Sequence, residues 1–180
     1  MTHLAANTGS IEADVARAAA GDEVAFGRLV AEHHTAMTRV AYVVSGDLDA
    51  AQEAVQVAWT RAWQQLPKLR DGSQIRAWLI SIAANEARQG LRRGRRSRVV
   101  DLSEELASAP GTDPANAIDL VDLERALRRL KPDERLLLAM RFTAGLESAE
   151  IAAQVGISAS GVRSRLERVL NRLRRDLDRG

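Results

Sequence analysis

Cysteine is absent from this 180-residue chain, which excludes a disulfide framework, a thiol nucleophile and any zinc site built on thiolates. Aromatic residues make up only 3% of it, as three Trp, two Phe and one Tyr, too few for the aromatic-rich runs that favour strands. No stretch approaches the roughly 18 consecutive apolar residues of a membrane span. Residues 1–10 lack the basic start and apolar run of a signal peptide, so the expected compartment is the cytoplasm. Paired acids for acid/base work and a glycine-rich phosphate loop after a strand are both missing, so no catalytic residue and no enzymatic activity are expected. His33 and His34 are adjacent, hence about 100° apart on a helix. With no second cluster of His or carboxylate residues to join them, neither a metal nor another cofactor is expected.

What the chain does contain is 46% hydrophobic residues, with abundant Ala, Leu, Arg and Glu, all good helix formers. An all-α fold follows. The length allows one medium domain or two small ones, each only marginally stable alone, and the net charge of +2 conceals a distribution that helps to decide. Between Glu86 and Arg98 six arginines stand against one acid, whereas Val99 to Asp122 holds six acids and no base. Arginine returns from Arg163 to Arg179. Two basic regions separated by an acidic one suggest two contacts with a polyanion.

Helical periodicity and punctuation divide the chain further. Residues 1–10 are expected to be disordered, and 11–20 to form a short helix stopped by Gly21. Asp22 caps a longer helix running to about residue 44, and Gly46 and Asp47 break and restart the chain. The helix over 48–66 carries Ala51, Ala54, Val55, Ala58, Trp59, Ala62 and Trp63 at three- and four-residue spacings, an apolar stripe for packing. "PKLRDGS", Pro67 to Ser73, reads as a loop, with Ser73 placed to cap a fourth helix that bears Ile75, Trp78, Leu79, Ile82 and Ala83 on one face. The first domain is thus 11–97. Residues 98–117 are the expected flexible linker, since "SEELASAPGTDPAN", Ser103 to Asn116, has two prolines, a glycine and charge of one sign. The second domain, 118–180, is expected to hold helices over about 118–130, 133–143, 148–155 and 159–177. Trp59, Trp63 and Trp78 fall on apolar faces, which favours core packing over base stacking.

The last two helices meet at Gly156, with Ser158 as the cap of the second, which is helix-turn-helix spacing. Val162, Leu166, Val169, Leu170, Leu173 and Leu177 share one arc of the final helix, and Arg163, Arg165, Arg168, Arg172, Arg174 and Arg175 cover the rest. "SASG", Ser158 to Gly161, has little side-chain bulk at the helix start. Gly161 costs up to about 1 kcal/mol against alanine there, and close approach to phosphate offers an offset.

With these segments in place, the chain resembles the extracytoplasmic function (ECF) group of sigma-70-type RNA polymerase sigma factors, from about Val24 to Leu177. "AWTRAWQQL" and "RAWLISIAANEARQGLRR" resemble the promoter-melting, minus-10-reading domain (region 2). "LRRLKPDERLLLAMRFTAGLESAEIAAQVGISASGVRSRLERVLNRLRR" resembles the minus-35-reading domain (region 4). The resemblance implies a sigma factor that binds core RNA polymerase and directs promoter-specific initiation. The helix over 49–63 would meet the clamp helices of the beta-prime subunit, and the second domain would lie near the beta flap. Lys68, Arg70, Ser73, Asn85, Arg88, Arg92 and Arg93 are implied for the single-stranded minus-10 element, where an unstacked base needs an edge-reading partner and the strand a basic surface. Ser158, Ser160, Gly161, Arg163, Ser164, Arg165 and Arg168 are implied for minus-35 duplex. Most acids the family carries toward the clamp are missing from Ala50 to Val57, which leaves Asp47, Asp49, Glu53 and Gln56 as the core-binding candidates. An anti-sigma factor is a further partner that the resemblance admits. Two rivals fit parts of the pattern: a helix-turn-helix regulator independent of polymerase, and a sigma mimic that sequesters an anti-sigma factor.

Overall fold

Aspartate side chains mark the boundaries of the first four helices. In a computed structural model, which describes residues 3–97, 123 and 125–177, α1 spans His3–Ala19 and α2 spans Glu23–Ser45. Between them Asp22 accepts the Ala25 amide at 2.9 Å and the Arg17 guanidinium at 2.6 Å. One carboxylate thereby caps α2 and ties α1 to it. Those two partners, the amide first, hold the Asp22 carboxyl below its ordinary range. α2 ends on Gly46, whose left-handed φ of 73° turns the chain at once into α3, Leu48–Gln65. Asp47 caps α3 by accepting the Ala50 amide at 2.7 Å.

A short 3₁₀ turn, Leu66–Lys68, takes up Pro67 after α3. The expectation that Ser73 caps the next helix is corrected here. Asp71 accepts both the Ser73 amide, at 3.0 Å, and the Ser73 hydroxyl, at 2.6 Å, and nucleates a second 3₁₀ turn over Gly72–Gln74 from which α4, Ile75–Ser97, grows. Two residue types suited to capping stand two apart, and the aspartate takes the role because its carboxylate can accept two donors at once. α1 begins at His3, ahead of the helix start expected at residue 11. Ala5, Ala6 and Leu4 are strong helix formers, and no proline interrupts the run.

α2, α3 and α4 pack on one another, with α1 against α2. Buried Ala51, Ala54, Ala58 and Ala62 let α3 approach closely, and Met37, Val40, Val44, Val55, Leu79 and Ile80 fill the centre. The buried arc of α4 is wider than its sequence stripe suggests. Ala77, Ile80, Ala84 and Ala87 are buried beside Ile75, Leu79 and Ala83, while Trp78 and Ile82 are only partly covered. The cause is a second layer on α4.

That layer is the second half of the chain. After a helical stretch over 125–129, α5 spans Pro132–Leu138 and widens into a π-helical turn, Ala139–Thr143. α6 spans Ser148–Val155 and α7 spans Ala159–Leu177. α5 and the π turn pack on α2 and α4, and α6 packs on α4. The buried apolar residues of both halves form one continuous core. Among the described residues there is no strand. The linker placed at 98–117 and the start of the helix expected over 118–130 lie outside the described residues.

Candidate nucleic-acid interface

α6 and α7 meet at Gly156, with φ 72°, which lets the Gly156 amide close on Ala152 O at 3.0 Å while the chain reverses. Glu147, not Ser148, precedes α6 as its cap residue, and the Glu150 carboxylate reaches back to the Glu147 amide at 2.7 Å. Ser158 opens α7 as expected. Its hydroxyl accepts the Gly161 amide at 3.0 Å and lies 3.0 Å from the Ser160 hydroxyl. A Cβ built on Gly161 would sit 3.1 Å from that Ser158 oxygen. The glycine thus has an internal reason to be there, because the cap bond is made where a methyl would crowd it.

Val162, Leu166, Val169 and Leu173 are buried, Leu170 is half-buried, and Leu177 is exposed at the helix end. On the other side Arg163, Ser164, Arg165 and Arg168 are exposed. Arg172 departs from the arginine face. Its Nη2 bonds Glu134 of α5 at 2.5 Å, and Glu134 also accepts the Lys131 amide at 3.0 Å. Partial burial works to raise the Glu134 pKa, but the Arg172 and Lys131 bonds and their charges outweigh it and hold it below the ordinary range. Arg172 therefore fastens α7 to α5. Arg165 and Arg168 line a cleft of about 280 Å³ between α5 and α7, shared with Asp133 and Glu134.

The other candidate surface combines the 66–74 segment with α4. Lys68 and Arg70 are exposed, while the Ser73 hydroxyl is held by Asp71. α4 carries Asn85, half-buried, then Arg88, Arg92 and Arg93 at successively more open positions. A cleft of about 380 Å³ separates the loop from α1, lined by Glu12, Val15, Ala16 and Ala19 on one wall and by Leu69 to Ser73 on the other. Glu12 is the residue that sequence reasoning missed, because α1 reaches the loop from more than fifty positions away and no local motif announces it. The structure does not bring Asn85 and Lys68 together by any hydrogen bond. Arg88 does have a partner: its Nη1 lies 2.9 Å from Asp133 of α5, with Arg92 Nη2 at 3.6 Å from the same oxygen.

Asp49, Glu53 and Gln56 share the exposed face of α3, and Asp47 stands at its start as the cap. Behind that face Phe26 meets Trp59 edge-on at 5.6 Å and Trp63 at 4.8 Å, and the Trp59 indole donates to His34 Nδ1 at 3.2 Å. These tryptophans brace α3 on α2, with Trp63 still 36% exposed. Among the described residues no group of three or more His, Cys, Asp or Glu is placed to hold a metal ion, and no helix is long and apolar enough to cross a membrane.

A helix-turn-helix unit with an exposed arginine face, joined to a four-helix unit that ends in a second arginine-bearing helix, is the architecture of a DNA-binding protein. Family comparison narrows the class. Residues 29–97 match sigma-70 region 2, and residues 120–173 match sigma-70 region 4. The chain is 32% identical over 172 residues to the probable RNA polymerase sigma factor RfaY of Xanthomonas campestris pv. campestris, an alignment covering 91% of this chain and 43% of that protein. It spans less than half the length of that relative. It is 30% identical over 166 residues to the ECF RNA polymerase sigma factor SigL of Mycobacterium tuberculosis, covering 90% of this chain and 94% of SigL. The solved structure of the sigma factor RpoE in complex with the anti-sigma factor NepR from Bartonella quintana is similar with a TM-score of 0.69 and 28% identity, over 85% of this chain and 96% of RpoE. The chain belongs to the ECF group of the sigma-70 family, transcription initiation factors that are not enzymes.

Proposed function

We propose that this sigma factor divides its work between the two arginine surfaces, bringing core RNA polymerase to a promoter and acting by binding alone, in the cytoplasm. The exposed face of α3, with Asp49, Glu53 and Gln56 and the adjoining Asp47, docks on the beta-prime clamp helices, and the second half lies near the beta flap. The 66–74 segment and α4 take the single-stranded minus-10 element. The cleft between α1 and the loop receives an extruded base, Asn85 reads an edge, and Lys68, Arg70, Ser73, Arg88, Arg92 and Arg93 follow the backbone. α7 enters the major groove at minus-35, with Ser158, Ser160 and Gly161 near phosphate and Arg163, Ser164, Arg165 and Arg168 toward the groove.

The observation that carries this reading is the division of α7, whose apolar stripe is buried while Arg163, Arg165 and Arg168 stay exposed beyond a capped, unobstructed helix start. An anti-sigma factor as a regulatory partner is supported by the RpoE complex with NepR. The test is a pull-down with purified core polymerase followed by transcription from a set of promoters. Core binding with initiation at a subset of promoters is expected. DNA binding without core binding would replace this reading with a polymerase-independent regulator.

A further inference from the structure

The two halves of the chain are fastened by polar contacts at one interface. The Arg76 guanidinium on α4 donates to the Ala144 carbonyl, and the Ser81 hydroxyl donates to Gln154 of α6 at 3.0 Å. At the far end of the same face, Asp133 of α5 meets Arg88 at 2.9 Å and Arg92 at 3.6 Å. Arg88 and Arg92 stand one helical turn apart on α4, and both converge on one carboxylate oxygen. From the other side, Asp133 lines the cleft into which Arg165 and Arg168 of α7 project. Asp133 thus stands between the α4 arginines and the cleft that Arg165 and Arg168 line, while Glu134 beside it is taken by Arg172.

We infer that Asp133 occupies the site of a DNA backbone phosphate on α4, so that the free protein masks its own minus-10 surface. An oxygen anion held by two guanidinium groups one turn apart is the contact a strand phosphate would make with the same pair. Asp133 supplies one charge through a side chain that is 60% exposed, so the mask is weak enough to be displaced by a polyanion that offers several phosphates at once. The neighbouring Arg76 and Ser81 bonds, made by groups that carry no DNA-reading role here, keep Asp133 in register with α4. Separation of the halves, or displacement of Asp133 alone, then exposes Arg88 and Arg92 together. This inference rests on the assignment of Arg88 and Arg92 to the minus-10 strand.

The test uses the full chain and a fluorescein-labelled oligothymidylate of about 12 nucleotides, with binding followed by anisotropy at low salt. Asp133→Asn is expected to tighten binding about two- to five-fold, the range open to an exposed ion pair. Arg88→Ala is expected to weaken binding and to abolish the gain from Asp133→Asn in the double variant. Glu23→Gln, which removes one acid at the start of α2, is expected to change little. Equal affinities for wild type and Asp133→Asn, with Arg88→Ala still weaker, would overturn the mask and leave the minus-10 assignment standing. An equal gain from Glu23→Gln would also overturn it, by reducing the effect to net charge. No loss in Arg88→Ala in either background would overturn the mask and the assignment beneath it together.

Discussion

Arg61 on α3 reaches across to Glu86 on α4, and the Glu86 carboxylate is only 2% exposed. The pair joins α3 to α4, the helix that carries Asn85 and Arg88. One Glu86 oxygen takes the Arg61 guanidinium, and the other is buried without a hydrogen-bond partner. A buried carboxylate whose partner is removed costs more than the pair contributes. Arg61→Ala should therefore destabilise the protein by about 1–3 kcal/mol, below the full range for a buried pair because Arg61 is itself 43% exposed. Glu86→Leu should be neutral or stabilising, and Arg61→Ala in the Glu86→Leu background should cost almost nothing. Urea unfolding of the four proteins checks this; additive losses would show that the pair is not coupled.

His33 on α2 gives the fold a pH dependence with a defined sign. It is 6% exposed, and its Nε2 is buried without a partner. Burial lowers its pKa from the ordinary 6.5; Arg76 lowers it further, and Glu32 opposes them. The unfolded chain thus takes up the proton first as pH falls. The stability contributed by neutral His33 is complete above about pH 6.5 and is lost as pH drops from there toward the folded-state pKa. One proton limits the slope to about 1.4 kcal/mol per pH unit. Comparison of urea midpoints at pH 7.5 and 5.5 should show a larger drop for wild type than for His33→Met. Equal drops would assign the acid sensitivity to other groups.

Much of this arrangement is legible in local sequence. Gly46 followed by Asp47 announces a left-handed stop and a new cap, and the three- and four-residue spacing from Ala51 to Ala62 announces the buried side of α3. Ser158 four residues before Val162 announces the start of α7. The packing of one half on the other is not legible, because the pairs that make it, Ser81 with Gln154 and Arg88 with Asp133, are separated by 73 and 45 residues. Ser81, Gln154 and Asp133 each read as an ordinary exposed polar position within their own helices, and Arg88 reads as a contact for nucleic acid, not for α5. For the same reason α4 shows one apolar stripe in sequence and a wider buried arc in the fold. The angular position of Arg172 puts it on the solvent face, but a long, flexible side chain reaches Glu134 from the edge of that face.

Gly161 and Ser158 should behave as a coupled pair. Replacing a helical glycine by alanine contributes up to about 1 kcal/mol, while loss of a serine cap costs typically about 1 kcal/mol. With a Cβ only 3.1 Å from the Ser158 oxygen, Gly161→Ala should disturb the cap and leave stability within about 0.5 kcal/mol of wild type. In a Ser158→Ala background the obstacle is gone, so the same change should stabilise by about 1 kcal/mol. Thermal or urea unfolding supplies the cycle. A full gain from Gly161→Ala alone would mean that the hydroxyl simply moves aside.

Arg163 and Arg172 lie on the same helix and should separate by the kind of damage their loss does. Arg172 bonds Glu134, which also holds the Lys131 amide, so Arg172→Ala should destabilise the protein by about 1–2 kcal/mol through loss of the α5–α7 fastening. Arg163 is exposed on the outer side of α7, and Arg163→Ala should leave stability unchanged within about 0.5 kcal/mol. If Arg163 contacts phosphate, duplex binding should weaken at every sequence, and the slope of log affinity against log salt should fall in magnitude by about 1. If it forks onto a guanine edge, discrimination should fall by about 1–3 kcal/mol at one base pair. Charge reversal, Arg163→Glu, should weaken minus-35 binding more strongly than the alanine change while core polymerase pull-down is retained, because the residues proposed for the polymerase clamp stand on α3 and not on α7. Unchanged promoter affinity in Arg163→Glu would remove α7's outer face as the DNA-reading surface.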